Sequence, residues 1–232
     1  MPKLSVVLPC YNESKSIYDI LSRFAEVKNV DTELILVNNG STDNTNDVLN
    51  KVLKKSKFGF ARSVTINKNK GYGNGILFGL KYSKGDFLAF SHADLQCDPL
   101  DIFRAYNLLI KTSNPKKTLV KGNRIGRRNF LTTILHLLAT FLFFKKFDDI
   151  NGQPKVLHRS LFNSLKNPPK NFAFDFYVQY VALKNNYKIL NIPVRFTKRK
   201  HGQSHWASTF KSRTKTTIGF VKYMLKLRFS GD

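Results

Sequence analysis

Two cysteines, Cys10 and Cys97, in 232 residues are too few for a zinc cluster or a disulfide framework. One bridge between them is chemically possible. With no apolar stretch of signal-peptide length near the start, the expectation is a reducing, cytoplasmic setting. Acids are equally scarce: 15 Asp plus Glu stand against 39 Lys plus Arg, a formal charge of +24. Such a field implies a polyanionic neighbour, whether nucleic acid, an acidic membrane surface or a phosphorylated substrate. No run of about 18 apolar residues occurs, so no membrane-spanning helix is expected. Internal repeats and low-complexity tracts are absent too.

What is present is enough to fold. The chain is 42% hydrophobic and carries 20 Phe, which excludes a disordered tail. Strand-like runs at 4–8, 34–37, 61–66 and 87–90 alternate with helix-like spacing at 14–25, 43–53 and 73–82. Ser14 is the N-cap candidate of the first helix. Repeated strand–helix units predict an α/β domain with a mostly parallel sheet flanked by helices on both faces. Ligands of such sheets sit beyond the carboxyl ends of the strands. The polar motifs fall at those ends: PCYNE (9–13), NNGS (38–41) and HAD (92–94).

Asp94 sits just past a strand, where a carboxylate suits a hard cation that bridges phosphates. Asp98-Pro99 is better suited to cap a helix and open its first turn. Lys70-Gly71 begins a glycine-rich stretch where backbone can approach a ligand and a helix N-terminus favours phosphate.

Four motifs stand in order: VLPCYNE (7–13), LVNNGSTD (36–43), NKGYGNG (69–75) and ADLQCDP (93–99). Together they resemble family-2 glycosyltransferases of the GT-A, Rossmann-like fold, and most of all the branch of dolichyl- and polyprenyl-phosphate sugar synthases. The resemblance implies transfer from a nucleotide-sugar donor with inversion, assisted by a divalent metal, manganese or magnesium. Pro9, Tyr11 and Glu13 match positions that hold the nucleoside. Tyr11 offers a flat face and Glu13 an acceptor. Asn38 and Asn39 replace the family's usual aspartates and join Lys70, Gly71 and Ala93 on the donor side. In the metal motif His92 takes the place of the first Asp, while Asp94 and Gln96 keep theirs. Ser41 and Asp43 are expected to shape a turn. KGNR (121–124) resembles a Gly-Ser-Arg segment whose Arg, here Arg124, approaches phosphates. DINGQPK (149–155) resembles an acceptor-side segment in which either Asp148 or Asp149 is the matching acid. RKHGQS (199–204), led by Arg199, resembles a segment that folds over the diphosphate, and Trp206 is a candidate acceptor contact. A solvated basic face is the alternative for Arg124, Lys155 and Arg199. If the acceptor is a hydroxyl, Asp149 or Asp175 is the candidate base.

The uncharged stretch 129–144 carries Thr132, His136 and Thr140 as one polar stripe, with basic residues at both ends. At about 1.5 Å per residue it reaches about 24 Å, short of a roughly 30 Å bilayer core. It fits either the sheet or the membrane interface. Ten Lys or Arg and one acid follow from residue 195 onward, and 209–228 reads as a basic amphipathic helix. The organisation expected is a glycosyltransferase domain over 1–206 and a basic helix over 207–232. Its partners would be the nucleotide-sugar donor, with a lipid-phosphate acceptor and an anionic membrane surface, placing the protein at the inner face of a membrane. No nucleic-acid motif appears. A weakened nucleotide-sugar binder and a basic nucleic-acid binder remain alternatives at this level.

Overall fold

The computed structural model of the chain describes residues 3–126, 130–201 and 210–229. Strands β1 (Leu4–Cys10), β2 (Thr32–Asn39), β3 (Ala61–Ile66) and β4 (Phe87–Phe90) alternate with helices α1 (Ile17–Val27), α2 (Thr45–Val52) and α3 (Tyr72–Lys81). Then follow α4 (Pro99–Ile110), β5 (Thr118–Arg124), α5 (Phe130–Phe143), β6 (Lys155–His158), α6 (Arg159–Asn163), α7 (Phe174–Lys184), β7 (Lys188–Val194) and α8 (Phe210–Phe229). The strands form one sheet in the order β3-β2-β1-β4-β6-β5-β7. Every pairing is parallel except the two made by β6, which runs against β4 and β5. The mostly parallel sheet expected from the alternation is therefore present.

Both faces of the sheet are covered, which is why its strands read as nearly continuous apolar runs. In β1, Leu4, Val6 and Leu8 pack with Ile20 and Phe24 of α1 and Phe103 of α4. Val7, on the opposite face, joins Ile76 of α3, Phe174 and Phe176 of α7, and Met224 of α8. Cys10 and Cys97 are free and buried on this scaffold, so no bridge links them.

Two helix starts differ from the sequence reading. The first helix begins at Ile17 rather than near Ser14, because Glu13 and Ser16 close a turn ahead of it (Ser16 N donates to Glu13 O, 2.8 Å). The second begins at Thr45, since the Asp43 carboxylate accepts from Thr45 N at 3.0 Å and so stands outside the helix. The expected cap of α4 is present: Asp98 accepts from Leu100 N at 3.0 Å, with Pro99 in the first turn.

The glycines of the 69–75 motif have a role that the sequence alone did not show. The Pro-containing loop 167–171 lies directly on them, and Asn74 N donates to Lys170 O at 2.9 Å. A Cβ on Gly73 would stand 2.6 Å from Pro169 O and 2.7 Å from Phe174 Cβ. Close backbone packing, not only ligand approach, requires these residues. Ala normally stabilises a helix by about 1 kcal/mol over Gly. Here the sign should reverse, with Gly73→Ala losing about 1–3 kcal/mol to overpacking, as measured by urea unfolding.

Helix α5, within the stretch 129–144, packs one side on the core. Ala139 is fully buried, and Leu135, Leu138, Leu142 and Phe143 pack on the core beneath. The polar stripe faces inward: His136 Nε2 accepts from Ile150 N at 3.1 Å, and Thr140 Oγ1 from Phe147 N at 3.1 Å. Both therefore satisfy backbone donors of the following loop. The opposite side of the helix stays exposed. Among the described residues no helix is long and apolar enough to cross a membrane.

Candidate active site

The carboxyl ends of β1 and β4 bring Glu13 and Asp94 to one point, where Arg199 bridges them. Arg199 Nη2 donates to Glu13 Oε1 at 2.7 Å and to Asp94 Oδ2 at 3.1 Å, and its Nε donates to the same Asp94 oxygen at 3.2 Å. Both carboxylates are buried. The rest of their oxygens are held locally, by Ser16 Oγ on Glu13 (3.1 Å) and by Gln96 N on Asp94 (3.1 Å). The segment carrying Arg199 is strapped across the site. Thr197 exchanges two 3.0 Å bonds with Gln96, and Lys200 pairs with Asp19 on α1. Residues 202–209, including Trp206, lie outside the described residues.

Burial raises the Glu13 carboxyl to about 7; Arg199 opposes this and Asp94 adds to it. Between its ordinary value of 4.5 and about 7 the folded state holds a proton that the unfolded chain has released. Glu13 should therefore contribute stability that declines as pH rises through that window and is flat above it. The difference between wild type and Glu13→Gln, followed by denaturant unfolding across pH, should show that slope. Parallel profiles would contradict it.

His92 lies between aromatic rings rather than in an acidic cluster. Its ring sits 5.6 Å from Tyr72 and 6.4 Å, edge-on, from Phe196. Tyr72 stacks in turn on Phe172 at 5.1 Å, and the Arg124 guanidinium lies 5.7 Å from the Phe196 ring. Burial pushes the His92 imidazole toward its neutral form, the state in which a ring nitrogen can bind a metal. Tyr72, Phe172 and Phe196 were not singled out from the sequence. Their only signal there was aromatic character beside Gly71, Pro169 and Thr197.

Beneath the site, the loop 149–154 is held by the half-buried Arg124 and by buried Lys121, Lys155 and Gln179. Arg124 grips the Asp149 carboxylate through Nη2 (2.5 Å) and Nε (3.0 Å), and its backbone N adds a 2.7 Å bond. Asp149, not Asp148, is thus the acid that Arg124 holds. Lys121 Nζ donates to Asp149 O (3.3 Å), Gln179 to Ile150 O (2.8 Å) and Lys155 Nζ to Gly152 O (3.0 Å). Lys155 also pairs with Asp175 at 2.5 Å, and Asp175 accepts from Gln153 at 2.8 Å. Lys155 is 0% exposed and Lys121 1%. The solvated basic face considered for Lys155 is therefore excluded. Burial, aided by Lys155, lowers Lys121 to about 8. For Asp149 burial raises the pKa, but the Arg124 bonds outweigh it and leave the carboxyl below its ordinary range. A carboxylate held this way is a poor proton acceptor.

Of the residues expected on the donor side, Tyr11 and Pro9 are half-buried at the end of β1, Ala93 is buried and Lys70 is exposed. Asn38 and Asn39 are buried, with their amides turned into the protein. Asn38 accepts from Ser41 N (3.1 Å) and donates to Asn46 (3.2 Å), while Asn39 donates to Gly71 O (3.1 Å). An aspartate could not make either donation, which gives the departure from the family pattern a local reason. Asn39 Oδ1 is a buried acceptor without a partner among the described residues. Ser41 and Asp43 shape the turn, as expected, through bonds to Asn12 N and Thr45 N.

This sheet, with its polar motifs gathered at the carboxyl edge, places the chain among GT-A, Rossmann-like α/β domains. Solved structures agree. Glucosyl-3-phosphoglycerate synthase from Mycobacterium tuberculosis, in complex with phosphoglyceric acid, superposes with a TM-score of 0.76 over 98% of this chain and 80% of that one, at 20% identity. The same synthase in complex with Mn2+, uridine diphosphate and glucosyl-3-phosphoglycerate gives 0.73 over 98% and 80%, again at 20% identity. The profile of "Glycosyl transferase family 2" matches residues 5–166, and the chain belongs to that family. Poly-beta-1,6-N-acetyl-D-glucosamine synthase of Staphylococcus epidermidis is 32% identical over 120 residues, 52% of this chain and 28% of that protein. Dolichyl-phosphate beta-glucosyltransferase of Dictyostelium discoideum is 26% identical over 218 residues, 84% of this chain and 66% of that protein. The chain thus spans little more than a quarter of the first relative's length.

Proposed function

We propose that the protein transfers a sugar, with inversion, from a uridine diphosphate sugar to a lipid-linked phosphate, working peripherally at an anionic membrane surface. The observation that carries the acceptor class is the state of the acids on the acceptor side. Asp149 is spent on Arg124 and Asp175 on Lys155. A hydroxyl acceptor needs a carboxylate to take its proton, whereas a phosphate arrives already ionised. The likeness to the dolichyl-phosphate beta-glucosyltransferase supports the same class. The complexes of the mycobacterial synthase support uridine diphosphate and a divalent ion on the donor side.

The residues fit a divalent cation through the buried Asp94 carboxylate, the neutral His92 imidazole and the Gln96 amide. Among the described residues no cluster of three His, Cys, Asp or Glu surrounds a common point. The remaining ligands would therefore come from the donor's phosphates and water. A divalent ion supplies positive charge at the leaving diphosphate. Arg199, whose guanidinium lies at the acidic pair, would do similar work on a phosphate. Glu13 and Tyr11 face the nucleoside, and Arg124, steadied by Asp149 and Phe196, presents charge toward the acceptor.

Incubation with radiolabelled uridine diphosphate glucose or N-acetylglucosamine, manganese and a detergent-solubilised polyprenyl phosphate tests the reading. A labelled lipid is the expected product. Nucleotide-sugar binding without transfer to this or any hydroxyl acceptor would favour the second reading, a binding protein without turnover, which His92 in place of the motif's first Asp supports.

A further inference from the structure

The outer sides of α5 and α8 carry apolar stripes that the fold does not use. On α5, Ile134, Leu137 and Phe141 recur at helical spacing and continue to Phe144 just beyond the helix. Leu137 is 64%, Phe141 73% and Phe144 77% exposed. On α8, Ile218, Leu225 and Phe229 form the matching stripe, ending with Phe229 at 78% exposed. The opposite side of α8 is anchored in the core by Phe220, Met224 and Leu227. Its twenty residues include six basic and no acidic side chains, and α5 has no formal charge.

The carboxyl-terminal ends of α5, α7 and α8 enclose a cavity of about 300 Å3. Leu142, Phe143 and Phe147 supply apolar wall, while Lys145, Lys184 and Arg228 supply cations, and no acid lines it among the described residues. The Arg228 guanidinium stands 5.9 Å from the Phe144 ring, so cation and exposed aromatic meet at the mouth. Phe144 itself has φ +51, a left-handed conformation that usually falls to glycine after a helix. A bulky aromatic there is held against its backbone preference and points its ring to solvent. The cavity is not the active site. Lys184 lies nine residues along α7 from Asp175, about 13 Å at helical rise.

We propose that this cavity binds the headgroup of an anionic phospholipid and that the flanking stripes of α5 and α8 seat in the same bilayer surface. The inference rests on the membrane part of the reading above and adds a lipid site separate from the acceptor site. Apolar rings beside a cation-walled pocket match the boundary between acyl chains and phosphates, where amphipathic helices lie. A soluble acidic partner would match the cations but leave the seven exposed aromatic and aliphatic side chains of the two stripes unexplained.

The test is flotation of the whole chain with phosphatidylcholine vesicles, with and without phosphatidylglycerol. Wild type should bind the anionic vesicles and keep part of that binding at high salt. Lys145→Gln with Arg228→Gln should weaken anionic binding on the order of 30-fold, from about fivefold per cation removed. Phe141→Ser with Phe144→Gly should remove the salt-resistant part. Because Phe144→Gly suits the left-handed backbone, that variant should melt no lower than wild type, which separates lost binding from lost folding. Sugar transfer to a detergent-solubilised acceptor should be unchanged in both variants. Wild type that fails to float, equal binding to neutral vesicles, or variants that float like wild type would each overturn the proposal. Absent transfer with intact vesicle binding would instead count against the catalytic reading alone.

Discussion

Replacing Asp94 by Ala should lower sugar transfer by about 10³-fold or more while leaving the protein folded. A preorganised charge at a leaving group contributes roughly 10²–10³ in rate, and a metal-held one several kcal/mol. Asp94 is the one carboxylate of the metal motif, and its side-chain bonds go to Gln96 N and to Arg199. Arg199 would keep its 2.7 Å bond to Glu13, so the strap over the site should stay in place. Turnover assays at saturating donor, with circular dichroism alongside, would check this. Near-normal turnover would remove Asp94 from the reaction.

The second large effect is on stability. Lys155→Met should cost about 3–5 kcal/mol, because it leaves the Asp175 carboxylate buried without its cation. For a chain of this size that corresponds to a fall in melting temperature of about 6–20 °C. Gly152 O would lose its donor at the same time. Lys155→Met with Asp175→Leu should recover much of the loss, since a buried ion pair replaced by apolar volume is often close to neutral. Recovery would be incomplete, because the Gln153 amide loses one of its two acceptors and keeps only Tyr72 OH. Differential scanning calorimetry of the single and double variants measures both. A single variant as stable as wild type would mean that the pair is not buried as described.

How much of this was legible beforehand follows the range of the forces involved. The alternation of β1 to β4 with three helices could be read because both faces of a parallel sheet are buried, so strand runs are continuous and helices periodic. The cap at Asp98 could be read because it is local: one side chain, one turn, one proline. The reversed strand β6 could not, since only four residues, Lys155–His158, carry it and their direction depends on distant neighbours. A solvated face was one reading of Lys155, because charge usually marks solvent, and Lys121 was not singled out. Their burial follows from the carbonyls of the 149–154 loop, which no spacing announces. Three acidic or basic motif residues, Glu13, Asp94 and Arg199, were recognised separately. That one guanidinium joins both acids is a tertiary fact across more than a hundred residues. The inward-facing stripe of α5 shows the same limit. Periodicity identified Thr132, His136 and Thr140 as one line, but not which side of the helix the loop 147–150 would occupy.

The central claim is metal-assisted binding of a nucleoside diphosphate at the carboxyl edge of β1 and β4. Isothermal titration of wild type and Asp94→Ala with uridine diphosphate, in the presence and absence of manganese, tests it most directly. Manganese should tighten wild-type binding by roughly tenfold or more, the scale of a single well-placed charge interaction. It should change the affinity of Asp94→Ala little. Equal affinity of wild type with and without manganese, or an undiminished manganese effect in the variant, would contradict the account.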